Sequence, residues 1–73
     1  MQESDLPRRL VNVLHLVAEG KRNRAIADEL GLAEHTVENY VSELMELYGV
    51  ESRTELALAA RRADQSRKGE GRS

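Results

Sequence analysis

Apolar residues recur along this chain at spacings of three and four. Leu6, Leu10, Val13, Leu14 and Val17 form the first series, the period of a helix with one buried stripe. Pro7 suits its first turn, where the missing N–H needs no partner. Asp5 or a neighbour is placed to cap it, and Gly20 ends it near Glu19. A shorter series follows in "KRNRAIADELG", with Ile26, Ala27 and Leu30 inward, Asn23 as the expected N-cap and Gly31 just past the end. Leu32 and Ala33 make a turn. A third helix is predicted over 34–48, with Val37, Val41, Leu44, Met45 and Tyr48 on one stripe and Gly49 behind it. Val50 crosses to a fourth helix, opened by "SRTE". This is a capping box, with Ser52 as cap and Glu55 three residues on. The fourth helix is expected to reach about Ala63. The remaining "DQSRKGEGRS" has no apolar residue and two Gly, the composition of a disordered tail.

The pattern therefore predicts an all-α fold, four helices around one core. Residues 1–5 form a flexible N-terminal segment, 6–63 the domain and 64–73 the polar tail. No strand-like alternation and no internal repeat interrupts this reading. A short helix, a Gly-containing turn and a second helix make a helix-turn-helix unit.

Composition limits what such a domain can be. Its 73 residues suffice for one small domain, which buries only roughly 60% of its unfolded surface. There is no Cys to staple that core or to hold zinc through thiolates. No apolar run approaches the ~20 residues of a membrane span, and the N-terminus lacks the apolar stretch of a signal peptide. A cytoplasmic protein is expected. Net charge is −2, from 11 basic and 13 acidic residues. That offers no support for nucleic-acid binding, for which a basic domain is the usual sign.

The residues at the turn sharpen the picture. Leu16, Ala18 and Gly20; Asn23, Ile26 and Ala27; Thr36 and Val37; Val50; and Arg53 and Thr54 fall at fixed spacings. The stretch "LVAEGKRNRAIADELGLAEHTVENYVSELMELYGVESRTELALA" resembles the LuxR-type (GerE-type) helix-turn-helix domain, and the likeness covers about residues 6 to 62. It implies a bacterial or phage transcription regulator that binds double-stranded DNA; no cofactor and no enzymatic activity are expected, as the sequence shows no catalytic or phosphate-loop motif.

In a helix-turn-helix the recognition helix enters the major groove by its N-terminal half. If the stripe from Val37 to Tyr48 faces the core, the opposite face shows Glu34, His35, Glu38, Asn39 and Ser42. Asn39 suits adenine, whose N6 and N7 it can bond together, and His35 can donate to guanine or phosphate. The resemblance implies base contacts at His35, Glu38 and Asn39. The hydroxyls of Thr36 and Tyr40 suit phosphates. Arg22, Asn23, Arg24 and Arg53 are assigned to the DNA backbone with them, and Lys21, Arg8 and Arg9 add positive charge. The start of the second helix contributes N–H donors and its positive dipole end.

The third helix nevertheless carries Glu34, Glu38, Glu43 and Glu46 and no Lys or Arg. The family usually has Lys at the position of Glu38. Three accounts are open. Glu38 accepts a hydrogen bond from cytosine N4 while basic residues on the rim hold phosphates. Alternatively, Glu34 and Glu38 serve the positive end of the helix dipole. In the third account the acidic face meets a protein, another regulator or RNA polymerase, instead of DNA. The resemblance also marks Leu10 and Leu47 as apolar where the family carries charge, so both are expected to add apolar surface. Leu56 and Leu58 stand about 200° apart on a helix, so they cannot both face one core. Leu47 and Leu58 are the candidate homodimer contacts, with packing of Leu58 under the edge of the first helix as the duller alternative.

Other features point to no chemistry. His15 and His35 lie in different helices without ligand spacing, so no metal site is expected. The carboxylates are spread along helical faces, with nothing to bury a pair and tune it for acid–base work. Gly20, Gly31 and Gly49 have the spacing of helix ends, not of a phosphate loop. Arg61, Arg62, Arg67 and Lys68 read as solubilising charge. Only about six residues precede the first helix, so the chain is expected to be a stand-alone regulator or a fragment.

Overall fold

Four helices succeed one another in the computed structural model: α1 (Arg8–Ala18), α2 (Asn23–Leu30), α3 (Glu34–Tyr48) and α4 (Arg53–Arg72). The structure describes residues 5–72, with side chains through Arg62. No strand occurs among the described residues, and the all-α expectation stands.

One core joins the helices. Leu10, Val13, Leu14, Leu16 and Val17 of α1 meet Ile26 and Ala27 of α2, Val37, Val41 and Leu44 of α3, and Leu56 and Ala60 of α4. Leu6 closes the core ahead of α1. α1 packs on both α3 and α4, while α2 packs chiefly on α3. Among the described residues no polar or charged side chain is buried. Stability therefore rests on apolar burial, at about 25 cal/mol per Å².

Leu10 corrects one expectation. It is fully buried, not added surface. Leu10, Val13, Leu14 and Val17 lie within one narrow sector of α1 at 100° per residue, so Leu10 sits in the middle of the apolar stripe. The period of the residues outweighs the comparison with a family pattern. Among the described residues, Leu47 and Leu58 are the exposed large hydrophobic residues, at 39% and 47% accessibility, whereas Leu56 is fully buried. The 200° separation thus appears as one buried and one exposed residue.

The helix ends follow local chemistry. Pro7 precedes α1 with extended ψ, and its carbonyl accepts from Leu10 N at 2.9 Å and Val11 N at 3.1 Å. No side chain caps α1, so the cap expected from Asp5 or a neighbour is replaced by a backbone start. At the turn, Gly31 takes φ +69°, ψ +35°, and Leu32 N then reaches back to Ala27 O at 2.9 Å. That bond, characteristic of a left-handed helix end, sets the direction in which α3 leaves α2. Ser52 caps α4 as the sequence implied, but the return bond of Glu55 reaches the N–H of Glu51 and not that of Ser52. Glu55 N donates to Ser52 Oγ at 3.1 Å, and Glu55 Oε1 accepts from Glu51 N at 3.0 Å. α4 continues well past Ala63 to Arg72. Apolar spacing ends at Ala63; Arg61, Arg62, Ala63, Gln65, Arg67 and Lys68 favour a helix and no Pro intervenes, while Gly69 and Gly71 disfavour one. The tail reading for 64–73 otherwise concerns side chains outside those described.

Candidate nucleic-acid interface

Burial of Val37, Val41 and Leu44 fixes the rotation of α3. The side opposite them carries His35, Glu38, Asn39 and Ser42, all exposed and spaced i, i+3, i+4 and i+7, so they share one face. The structure thus brings together the three residues expected to contact bases. Asn39 Nδ2 lies 3.4 Å from His35 Nε2. The amide nitrogen can only donate, so this long contact needs His35 Nε2 as acceptor. The second N–H of the amide and its Oδ1 remain for an adenine. Glu38 enters no hydrogen bond or ion pair among the described residues, so its carboxylate oxygens stay available. Glu34 stands in the first turn of α3, where a carboxylate complements the positive end of the helix.

One flank of this face carries Thr36, Tyr40 and Glu43, each half-buried. α1 lies against it. The Arg9 guanidinium carbon sits 5.6 Å from the centre of the Tyr40 ring, within cation–π range. Arg9 Nη2 is also 3.5 Å from Glu43 Oε2. Glu43 is therefore engaged by a cation of α1, which moderates the acidity of α3 on that side.

The start of α2 is built differently from the expectation. Arg22, not Asn23, is the N-cap, and no side chain caps the helix. Asn23 is instead the first helical residue, and its Oδ1 accepts from Arg53 Nη1 at 2.6 Å. Arg53 Nη2 donates to the carbonyl of Lys21. The guanidinium fork of α4 thus ties down the entrance to α2, across roughly 30 residues of sequence, and uses two of its five donors. Lys21 Nζ pairs with Glu29 at 3.2 Å. Arg22 and Arg24 are exposed and enter no ion pair among the described residues. Apolar periodicity could not find the Arg53–Asn23 tie, because it depends on which loops meet. The only local hint was that a capping residue and an Arg both stood beside turns.

Residues 4–60 match the family described as "Bacterial regulatory proteins, luxR family". The chain belongs to the luxR family. Among its luxR-type relatives, the "DNA-binding transcriptional activator DevR/DosR" of Mycobacterium tuberculosis is 47% identical over 55 residues, 75% of this chain and 25% of that protein. The "Two-component response regulator PprB" of Pseudomonas aeruginosa is 49% identical over 47 residues, 64% of this chain and 17% of that protein. The "Transcriptional regulatory protein DesR" of Bacillus subtilis is 46% identical over 43 residues, 59% of this chain and 22% of that protein. The chain thus spans about a quarter or less of the length of these three relatives. Among the described residues, no helix is long and apolar enough to cross a membrane, and no group of three His, Cys, Asp or Glu is arranged to hold a metal.

Proposed function

We propose that this luxR-family chain binds duplex DNA in a sequence-specific manner in transcription control, reading the major groove with α3. The observation that carries the reading is the rotation of α3. With Val37, Val41 and Leu44 buried, His35, Glu38 and Asn39 point outward on the half of a recognition helix that enters the groove. Asn39 suits adenine and Glu38 suits cytosine N4. Exposed Arg22 and Arg24, together with Thr36 and Tyr40, supply phosphate contacts. Asn23 and Arg53 belong to the backbone-facing side as well: their hydrogen bond holds the entrance to α2, and three donors of the Arg53 fork remain for a phosphate. A cytoplasmic location goes with this reading, since a bacterial chromosome lies there.

We also propose a homodimer through the outer side of α4, with Leu58 and Leu47 as contacts. A two-fold pair of domains suits a pseudo-palindromic site with half-sites about one turn apart. The alternative, an acidic α3 that binds a regulator or RNA polymerase in place of DNA, lacks support in the relatives' names, which describe DNA binding and transcriptional regulation.

Fluorescence anisotropy against random duplex DNA across a salt series tests the DNA reading. Affinity should fall with salt at a log–log slope of ~0.9 per phosphate contact. Absence of binding at low salt would end the proposal and turn attention to protein partners.

A further inference from the structure

We propose that the Arg9 guanidinium is a phosphodiester site on the flank of α3, and that Glu43 is its resident counterion, displaced when DNA binds. The inference rests on the DNA-binding reading above. At 100° per residue, Thr36, Glu43 and Tyr40 lie about 80–140° around α3 from His35. They form a stripe between the reading face of His35, Glu38 and Asn39 and the buried face of Val37, Val41 and Leu44. α1 delivers Arg9 onto that stripe, over the Tyr40 ring at 5.6 Å.

Arg9 carries five N–H donors, and its contact with Tyr40 is given by the guanidinium carbon, 5.6 Å from the ring centre. The acceptor now present is Glu43, at 3.5 Å through one nitrogen, with both side chains close to half exposed. Such a pair is loose and well solvated. A phosphate offers Arg a bidentate partner of matching geometry. The hydroxyls of Thr36 and Tyr40 belong to the same stripe, so a phosphate there meets donors from two helices. The exchange balances charge at Arg9, but it breaks the Arg9–Glu43 pair and leaves Glu43 to gather a counterion from solution. Glu43 therefore lowers affinity for every DNA sequence alike. It touches no base and restrains the non-specific component against which a specific site must compete.

A double-mutant cycle tests this: the unaltered chain, Glu43→Gln, Arg9→Gln and the double variant, each titrated against random duplex DNA between 50 and 200 mM salt. Glu43→Gln should bind more tightly and with a steeper salt slope. A displaced carboxylate gathers a cation and cancels one released from the phosphates, and the variant removes that cancellation. The gain should shrink about 3-fold between 50 and 200 mM salt, as expected for one counterion. On the Arg9→Gln background most of the gain should vanish, because the two residues act as one unit. An equal gain on both backgrounds would mean simple repulsion of DNA by Glu43 and would overturn the proposal. Tight binding of the unaltered chain, with neither variant changing the slope, would overturn it while leaving the DNA reading intact. If no variant binds duplex even at 50 mM, the DNA reading fails and this inference falls with it.

Discussion

In the proposed reading, Glu38 is the residue on which an acidic helix meeting a polyanion turns. It is exposed on the reading face, beside His35 and Asn39. If it accepts from cytosine N4, Glu38→Ala should relax preference at a single base pair by about 1–3 kcal/mol, the range for a good base contact. Selection of bound sequences before and after the change checks this. An unaltered preference at every position would remove Glu38 from the readers. Glu38→Lys should raise affinity for random duplex at low salt and steepen the salt slope by about 0.9. Unchanged low-salt affinity would place residue 38 away from DNA. At this scale the outward residues were legible, because a 3.6-residue period leaves one answer for the side opposite Val37, Val41 and Leu44. Leu10 shows the limit of arguing from a family pattern, since its place at the centre of the α1 stripe was already visible in the spacing. Asn23 shows the limit of local chemistry. A residue with every mark of an N-cap is claimed by an Arg from another helix, at 2.6 Å.

Among the elements, the turn between α2 and α3 and the entrance to α2 set the geometry of the reader. Gly31 holds φ +69°, and a Cβ built there meets no atom within 4 Å. Gly31→Ala therefore costs backbone strain alone, about 1 kcal/mol or slightly more. Thermal unfolding should come roughly 4–8 °C earlier, whereas an unchanged midpoint would show that the turn relaxes. Arg53 is the second control point. Arg53→Lys keeps the charge but loses the planar fork that spans Asn23 Oδ1 and the Lys21 carbonyl. If the fork positions α2, affinity should drop across all DNA sequences while the low-salt slope stays near that of the unaltered chain. If Arg53 serves only as a phosphate charge, Lys should preserve affinity. The helices themselves were readable from apolar spacing, glycines and the Ser52–Glu55 box. The end of α4 was not, because beyond Ala63 no apolar stripe marks the helix and Gly69 and Gly71 argue against one.

The whole molecule is one small core without disulfides, so loss of burial and loss of assembly have separable signatures. Leu56 and Leu58 make the contrast within two residues, one fully buried and the other 47% exposed. Leu56→Ala should cost about 2–5 kcal/mol, a large part of the roughly 5–15 kcal/mol that stabilises a domain, and should shift the urea midpoint strongly. Leu58→Glu removes no core contact and should leave that midpoint within about 0.5 kcal/mol. Its effect belongs to assembly. A carboxylate placed in an apolar contact between two copies must be desolvated without a partner, so the variant should sediment as a monomer at concentrations where the unaltered chain sediments as a dimer. Binding to a two-half-site duplex should weaken with it, while binding to a single half-site should not. A monomer in both proteins at every concentration would remove the dimer, and this domain would then read its half-sites one at a time.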